Sequence, residues 1–450
     1  MLLAWVTFPA GGVYPWVWIP AACGLAALAV FVRPPIAQHG RVRSADVFLF
    51  LSGIALLLQL APMPPALLSA IDPHASSLRA AIWLQPAGTT GSLPWLPISI
   101  VPSHTLAAVG VFIASLLLFW ICRQICRHGG TGRIVRAIAM IGLAASVAAI
   151  VQRAQNPELL YGLWRPLDAG ARPYGPFVNR NHFATWVVMA CPLVFGYLLA
   201  RAPERRRGQL AQRAAAAILQ LGSFRIWLVA AICVMVLALL ISTSRSGVIG
   251  MIGAMTTSLW LSRRRTEGHA GRWTILQGAL LVVVAISFAN FDSLAARLDE
   301  TFRSTSAGRG RGAIWADAWR VVEDFPVTGT GAGTFGTAIA VYQKAEPGYA
   351  IGQAHNHYLQ LLAEGGGLIG VPAALAAGAF FLLFRRRLAE DGSPDYLIRA
   401  GAVAGIVGAL VQSFWETGLR MPANAMLLAV LAAIATHTTA SSLPSRQQAD

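Results

Sequence analysis

Five short stretches of this chain gather side chains fit for polar chemistry within an otherwise apolar sequence. The densest is Ala354-His355-Asn356-His357-Tyr358-Leu359-Gln360-Leu361-Leu362-Ala363-Glu364, running into Gly365-Gly366-Gly367. Taken as a helix with a step of about 100° per residue, it spreads His355, Asn356, His357, Gln360 and Glu364 over about half the circumference. Imidazole there suits a general base or an acceptor-binding group, although an interfacial helix touching lipid headgroups carries the same pattern. The Ile241–Gly247 linker is too short to carry Arg245 far from a bilayer. Its guanidinium therefore needs an anion: a substrate phosphate, a carboxylate or a headgroup. Ser306–Gly312 brings Arg309 and Arg311 to the start of a helix. Glycines there let the backbone approach a ligand, and a helix N-terminus adds N–H donors for an anion. Arg172–His182 leads Asn179, Arg180 and Asn181 into an apolar run; amides suit sugar hydroxyls and cap helices equally well. Glu416 closes another apolar run, either as a catalyst or as an arginine's partner.

The elements that must position these groups are set by composition. Of 450 residues, 56% are hydrophobic and 12% charged, with a mean hydropathy of +0.58, which points to an all-α polytopic membrane protein. The net charge of +16 does not indicate nucleic acid, because most arginines fall in short loops between apolar runs. Among the 35 basic residues only Lys344 is a lysine, and guanidinium is the better fork for phosphate oxygens. Apolar runs lie near 15–32, 45–61, 104–122, 134–152, 182–200, 225–242, 247–262, 273–290, 367–384, 397–414 and 422–438. These make about 11 transmembrane helices, or 12 if the apolar Met1–Ala10 is the remnant of another. Met1–Ala10 lacks the basic start of a cleavable signal peptide.

Arginine clusters at 33–43, 123–136, 201–213, 263–272 and 385–387 occupy alternate loops, which places those loops in the cytoplasm, the C-terminus inside and the N-terminus outside. Three longer segments fall on the other side: the Trp/Pro-rich loop 62–103, the segment 153–181 and the large loop 291–354. The last contains an amphipathic helix over Gly312–Asp324, with Ile314, Trp315, Ala318, Trp319 and Val322 at helical spacing and Pro326 ending it. All five polar stretches share that outer side, within one integral membrane domain covering 1–450. The five cysteines lie in or beside spans, so no disulfide framework is expected. Cys122, Cys126 and His128 lack a fourth ligand for a metal.

The motifs Gly175-Pro176-Phe177-Val178-Asn179-Arg180-Asn181-His182-Phe183-Ala184, Ser242-Thr243-Ser244-Arg245-Ser246-Gly247, Arg311-Gly312-Ala313-Ile314-Trp315, Asp324–Phe335 and His355–Glu364 occur in that order over residues 170–370. As an ordered set they resemble the O-antigen ligase and polymerase family of bacterial membrane glycosyltransferases. Two departures stand out: Gly312 replaces the family's usual aliphatic residue, and Gly365-Gly366-Gly367 is richer in glycine than usual. The resemblance implies a helical bundle in the bacterial inner membrane with short helices in its large periplasmic loop. It implies a periplasmic site that takes a glycan from undecaprenyl diphosphate without metal or cofactor, as in lipopolysaccharide biosynthesis.

The departing lipid diphosphate needs fixed positive charge, which assigns Arg245 and Arg311 to it, with Arg180 and Arg309 as further candidates. His355 orients the acceptor hydroxyl and takes its proton, and a single displacement inverts the anomeric centre. Asn179, Asn181, Asn356, Glu364 and Glu416 are expected to contact sugar or orient His355. The leading acceptor is lipid A-core, as in O-antigen ligation; a second lipid-linked glycan, as in O-antigen or exopolysaccharide polymerisation, follows closely. Protein hydroxyls are a third acceptor. A transporter of a lipid-linked or anionic substrate is the rival of another class. It would set functional charges near the bilayer midplane, where these spans carry almost none. Membrane lipids are the other expected partners.

Overall fold

The computed structural model describes residues 1–35, 42–83, 95–167, 171–201, 223–263, 310–344, 350–393 and 395–438. The expected span 273–290 and the candidate Arg309 lie outside the described residues. What is described is almost wholly helical: α1 (Leu2–Thr7), α2 (Pro15–Val32), α3 (Val42–Leu58), the short α4 (Pro65–Ile71) and α5 (Ala75–Trp83), α6 (Pro102–Arg127), α7 (Thr131–Gln155), α8 (Arg180–Ala200), α9 (Ser223–Ile241), α10 (Arg245–Arg263), α11 (Arg311–Asp324), α12 (Phe335–Tyr342), α13 (His357–Glu390), α14 (Tyr396–Gln412) and α15 (Pro422–Thr436). Every expected span other than 273–290 coincides with one of these helices. Five of them (α2, α6, α7, α8 and α13) are long and apolar enough to cross a bilayer, while Ser44–Leu58, Arg225–Ile241, Tyr396–Gln412 and Pro422–Thr436 are shorter apolar helices.

The bundle is organised around α8. Its sequence from Phe183 to Leu199 is apolar on every side, and a helix of that kind must be covered all round. It packs on α14, α10, α9, α7 and α15. Small residues bring α14 close. A Cβ on Gly405 would stand 2.5 Å from the Met189 carbonyl oxygen, and one on Gly408 2.7 Å from that of Gly250 on α10. Backbone contact of this kind is how helices associate where no hydrophobic drive separates lipid from protein.

At one end of the bundle a second layer has its own core of Leu68, Leu78, Ile98, Ile100, Ala318, Val321, Phe325, Phe335, Ile339 and Ala363. The Trp/Pro-rich segment and the helices α11 and α12 thus fold together rather than as separate loops. Within the former, Pro62–Met63 pairs antiparallel with Leu96–Pro97 between the short helices. The expected helix over Gly312–Asp324 forms, one residue longer at its start. Its covered face is Asp317, Ala318 and Val321, while Trp319, assigned to the apolar stripe, is 51% exposed.

The triple glycine marks a break in α13. Gly366 adopts φ 51° and ψ −151°, and a Cβ there would lie 2.6 Å from the Val327 carbonyl carbon. The segment Pro326–Gly331 runs through this break. Gly367 and Leu368 donate to the carbonyls of Pro326 and Val327, while Thr330 and Gly331 donate to those of Ala363 and Glu364. Backbone groups freed by the interruption are thereby satisfied. Gln59, buried at the end of α3, ties the same junction: its amide donates to the Thr328 and Glu364 carbonyls and accepts from the Ala332 N–H.

Candidate active site

Three helices end at this layer with an arginine as their first residue: Arg180 on α8, Arg245 on α10 and Arg311 on α11. None has an acidic residue in its first turn. That is the reverse of what the helix dipole favours, since a positive charge at an N-terminus is repelled and an anion attracted. Arg245 lies within electrostatic reach of both other arginines. The Arg180 guanidinium donates to the Thr243 hydroxyl at 2.6 Å. Among the described residues, Arg245 and Arg311 have no side-chain hydrogen bond or ion pair. Burial pushes the Arg311 guanidinium below its ordinary pKa, Glu416 opposing that shift and Arg245 adding to it.

Glu416 stands beside this cluster and is fully buried. One carboxylate oxygen accepts from the Asn181 amide at 2.6 Å. The other accepts from the Thr417 N–H at 3.0 Å and lies 3.8 Å from both His355 Nδ1 and His182 Nε2. Those two ring nitrogens are buried without a hydrogen-bond partner. At 3.8 Å both pairs are too long for hydrogen bonds. Burial alone would raise the Glu416 carboxyl; the two histidines and the Thr417 N–H reverse this and hold it down at about 2. Asn181 in turn accepts from the Ser244 hydroxyl at 2.8 Å, and Ser244 Oγ also caps α10 by accepting from the Gly247 N–H. One hydrogen-bonded line therefore joins the starts of α8 and α10 to the carboxylate.

His355 precedes α13 instead of lying on it, because Asn356 is the helix cap: its side chain accepts from Tyr358 N and Leu359 N at 3.0 and 3.1 Å. His355 itself has φ 51°, a left-handed conformation costing a non-glycine residue about 1–3 kcal/mol. Its side chain remains 34% exposed. The strain is held by its neighbours. Ala354 N donates to Gln360, whose amide donates to Glu364, and Thr417 binds Gln353 on the other side. The single helical face expected for His355 through Glu364 is thus replaced by a turn followed by a helix.

The candidates divide as follows. His355, Glu416, Asn181, Arg180, Arg245 and Arg311 come together. Asn179 is the cap of α8, accepting from the Asn181 N–H at 2.8 Å, and Asn356 is the cap of α13. Glu364 is used by Arg420 at 2.6 Å and by the N–H groups of Gly333 and Phe335 at the start of α12. Through Gln360 it is linked to the Ala354 N–H, one residue before His355. His182 is not among the singled-out candidates, although Asn179-Arg180-Asn181-His182 puts it at the third position of a capped helix. Gln353 and Thr417 had no sequence signal beyond neighbouring His355 and Glu416.

An open cavity of about 1460 Å³ begins beside this network at Gln353, His357 and Arg420 and extends along α13 past Ala376 and Phe380 to Arg385. Its middle is lined by apolar side chains. Among the described residues no group of three or more His, Cys, Asp or Glu is arranged to hold a metal ion. Residues 230–371 match the family model described as O-antigen ligase. No curated protein matches the chain.

Proposed function

We propose that this chain, whose residues 230–371 match the family model described as O-antigen ligase, is a glycosyltransferase that moves a glycan from undecaprenyl diphosphate to an acceptor hydroxyl at the periplasmic face of the inner membrane. One observation carries the reading: three helices start with an arginine and meet beside a histidine–carboxylate pair. Positive helix ends and guanidiniums aimed at one place suit a leaving group that gains charge as it departs. The apolar cavity beside them supports a lipid-bound substrate.

Arg245 and Arg311 bind the diphosphate, with Arg180 held beside them by Thr243. The bond from the anomeric carbon to the diphosphate oxygen breaks, and its electron pair leaves with the phosphate. The acceptor oxygen attacks from the opposite face and inverts the centre. Its proton passes to His355, whose imidazolium is then stabilised by Glu416. Removing such a base costs about 10²–10⁴-fold in rate. Ligation to lipid A-core is the leading assignment, and repeat-unit polymerisation uses the same chemistry with a lipid-linked glycan as acceptor.

Purified protein given an undecaprenyl-diphosphate glycan and either acceptor should release undecaprenyl diphosphate. Transfer to lipid A-core identifies a ligase, and chain growth alone a polymerase. His355→Ala or Arg245→Ala with full activity would overturn the mechanism, and abolition by a chelator would overturn its independence of metal.

A further inference from the structure

Two arginines are enough for a diphosphate, yet the cluster continues beyond them. Arg153 sits in the last turn of α7, and Arg172 lies on the turn that leads into α8. That turn is fixed against α7 and α9. A Cβ on Gly175 would stand 2.8 Å from the Ala149 side chain, and the Tyr174 hydroxyl donates to the Ala238 carbonyl at 2.8 Å. Arg153 is one helical turn beyond Ala149, on the face the turn covers, and its charge reaches the Tyr174 hydroxyl. Arg172 is tied to the start of α8 by its carbonyl, which accepts from the Arg180 N–H at 3.1 Å. Both Arg153 and Arg172 lie close enough to Arg180 for their charges to act on it.

Among the described residues neither Arg153 nor Arg172 has an ion pair or a side-chain hydrogen bond, and both are exposed. Arg165 in the same segment differs, being within 3.7 Å of Glu158. Like charges gathered around Arg180 without an ion-pair partner of their own repel one another and are relieved by a bound anion. Positive side chains on the non-cytoplasmic side also run against the bias that orients membrane proteins, so orientation does not explain them.

We propose that Arg153 and Arg172 form an anion subsite adjoining the arginine cradle at Arg180, which recognises a carboxylate or phosphate substituent on a glycan of one of the two substrates. The proposal rests on the glycosyl-transfer reading and adds a selectivity to it: the enzyme prefers an acidic glycan to a neutral one.

The test uses full-length protein in liposomes with two undecaprenyl-diphosphate donors, one bearing a hexuronic acid and one its neutral hexose, each with phosphorylated or dephosphorylated acceptor. R153Q and R172Q lie on the surface and outside the reacting centre, so transfer between neutral substrates should be unchanged. With the anionic substrate each should lower kcat/KM about tenfold, the scale of one charge-assisted hydrogen bond, and the arm that responds identifies whether donor or acceptor carries the charge. Equal losses with neutral and anionic substrates, or no loss with either, would overturn the subsite. Should wild-type protein transfer nothing, the glycosyl-transfer reading fails by itself. Direct binding of an oligohexuronate against its neutral counterpart then decides the subsite, since R172Q must weaken only the former.

Discussion

Glu416→Gln isolates the carboxylate charge while preserving shape. The Thr417 N–H keeps its acceptor, Asn181 can turn its amide to accept instead of donate, and the Ser244 hydroxyl can rotate to follow. What disappears is the negative charge 3.8 Å from His355 Nδ1. Two unit charges at that separation interact by about 4 kcal/mol at an effective dielectric of about 20. With about a third of the His355 side chain open to solvent, screening leaves about half, or about 2 kcal/mol. If that energy stabilises the imidazolium formed during proton transfer, E416Q slows the chemical step by about 30-fold. Single-turnover transfer in proteoliposomes, with donor saturating, measures that step without product release. A thermal melt of the same preparation separates lost chemistry from lost folding. A rate within twofold of wild type, with an unchanged melt, would refute the role given to Glu416. A slow variant that also melts early would assign the carboxylate to architecture.

The arginines should respond to geometry as well as charge. Arg245→Lys and Arg311→Lys should recover only part of the about 10²-fold loss expected of alanine, because an ammonium cannot reproduce the two-pronged contact; steady-state kcat/KM for donor reads this directly. Gly366→Ala should destabilise by about 2 kcal/mol or more, through both its φ of 51° and the collision with Val327, visible as a lowered Tm in detergent. Glu416 has a folded-state pKa of about 2 against an ordinary 4.5. Its ionised form therefore adds stability that is complete above pH 4.5 and is lost as pH falls toward 2, about 3 kcal/mol across that window. E416Q should flatten the acid limb of the melting curve; an unchanged limb would assign it to other groups.

The apolar spans were legible because hydropathy is local, and nearly all of them reappear as helices. The arginines that gather at three helix starts drew notice for a related reason, since an isolated guanidinium beside an apolar run announces a need for an anion. What escaped was long-range pairing. Nothing near Gln59 signals that it bridges Thr328, Ala332 and Glu364, and nothing near Glu416 signals that its neighbours are His355 and His182. The polar face drawn for His355–Glu364 failed for a local cause: Asn356 competes for the first-turn N–H groups and moves the helix start past His355. Glu364, expected to contact sugar or orient His355, receives donors from a loop and from Arg420, which sequence spacing does not bring near.

The break in α13 also has a consequence for biosynthesis. Pro326–Gly331 leaves the ribosome before Ala363–Leu368, to which its backbone is stitched. Until α13 has been inserted, those carbonyls and N–H groups must be satisfied by water, and the layer above the bundle cannot close. Glu416 arrives later still, after Arg180, Arg245 and Arg311 have been synthesised. The nascent chain thus carries its arginine cluster before the buried carboxylate that acts on it has been made.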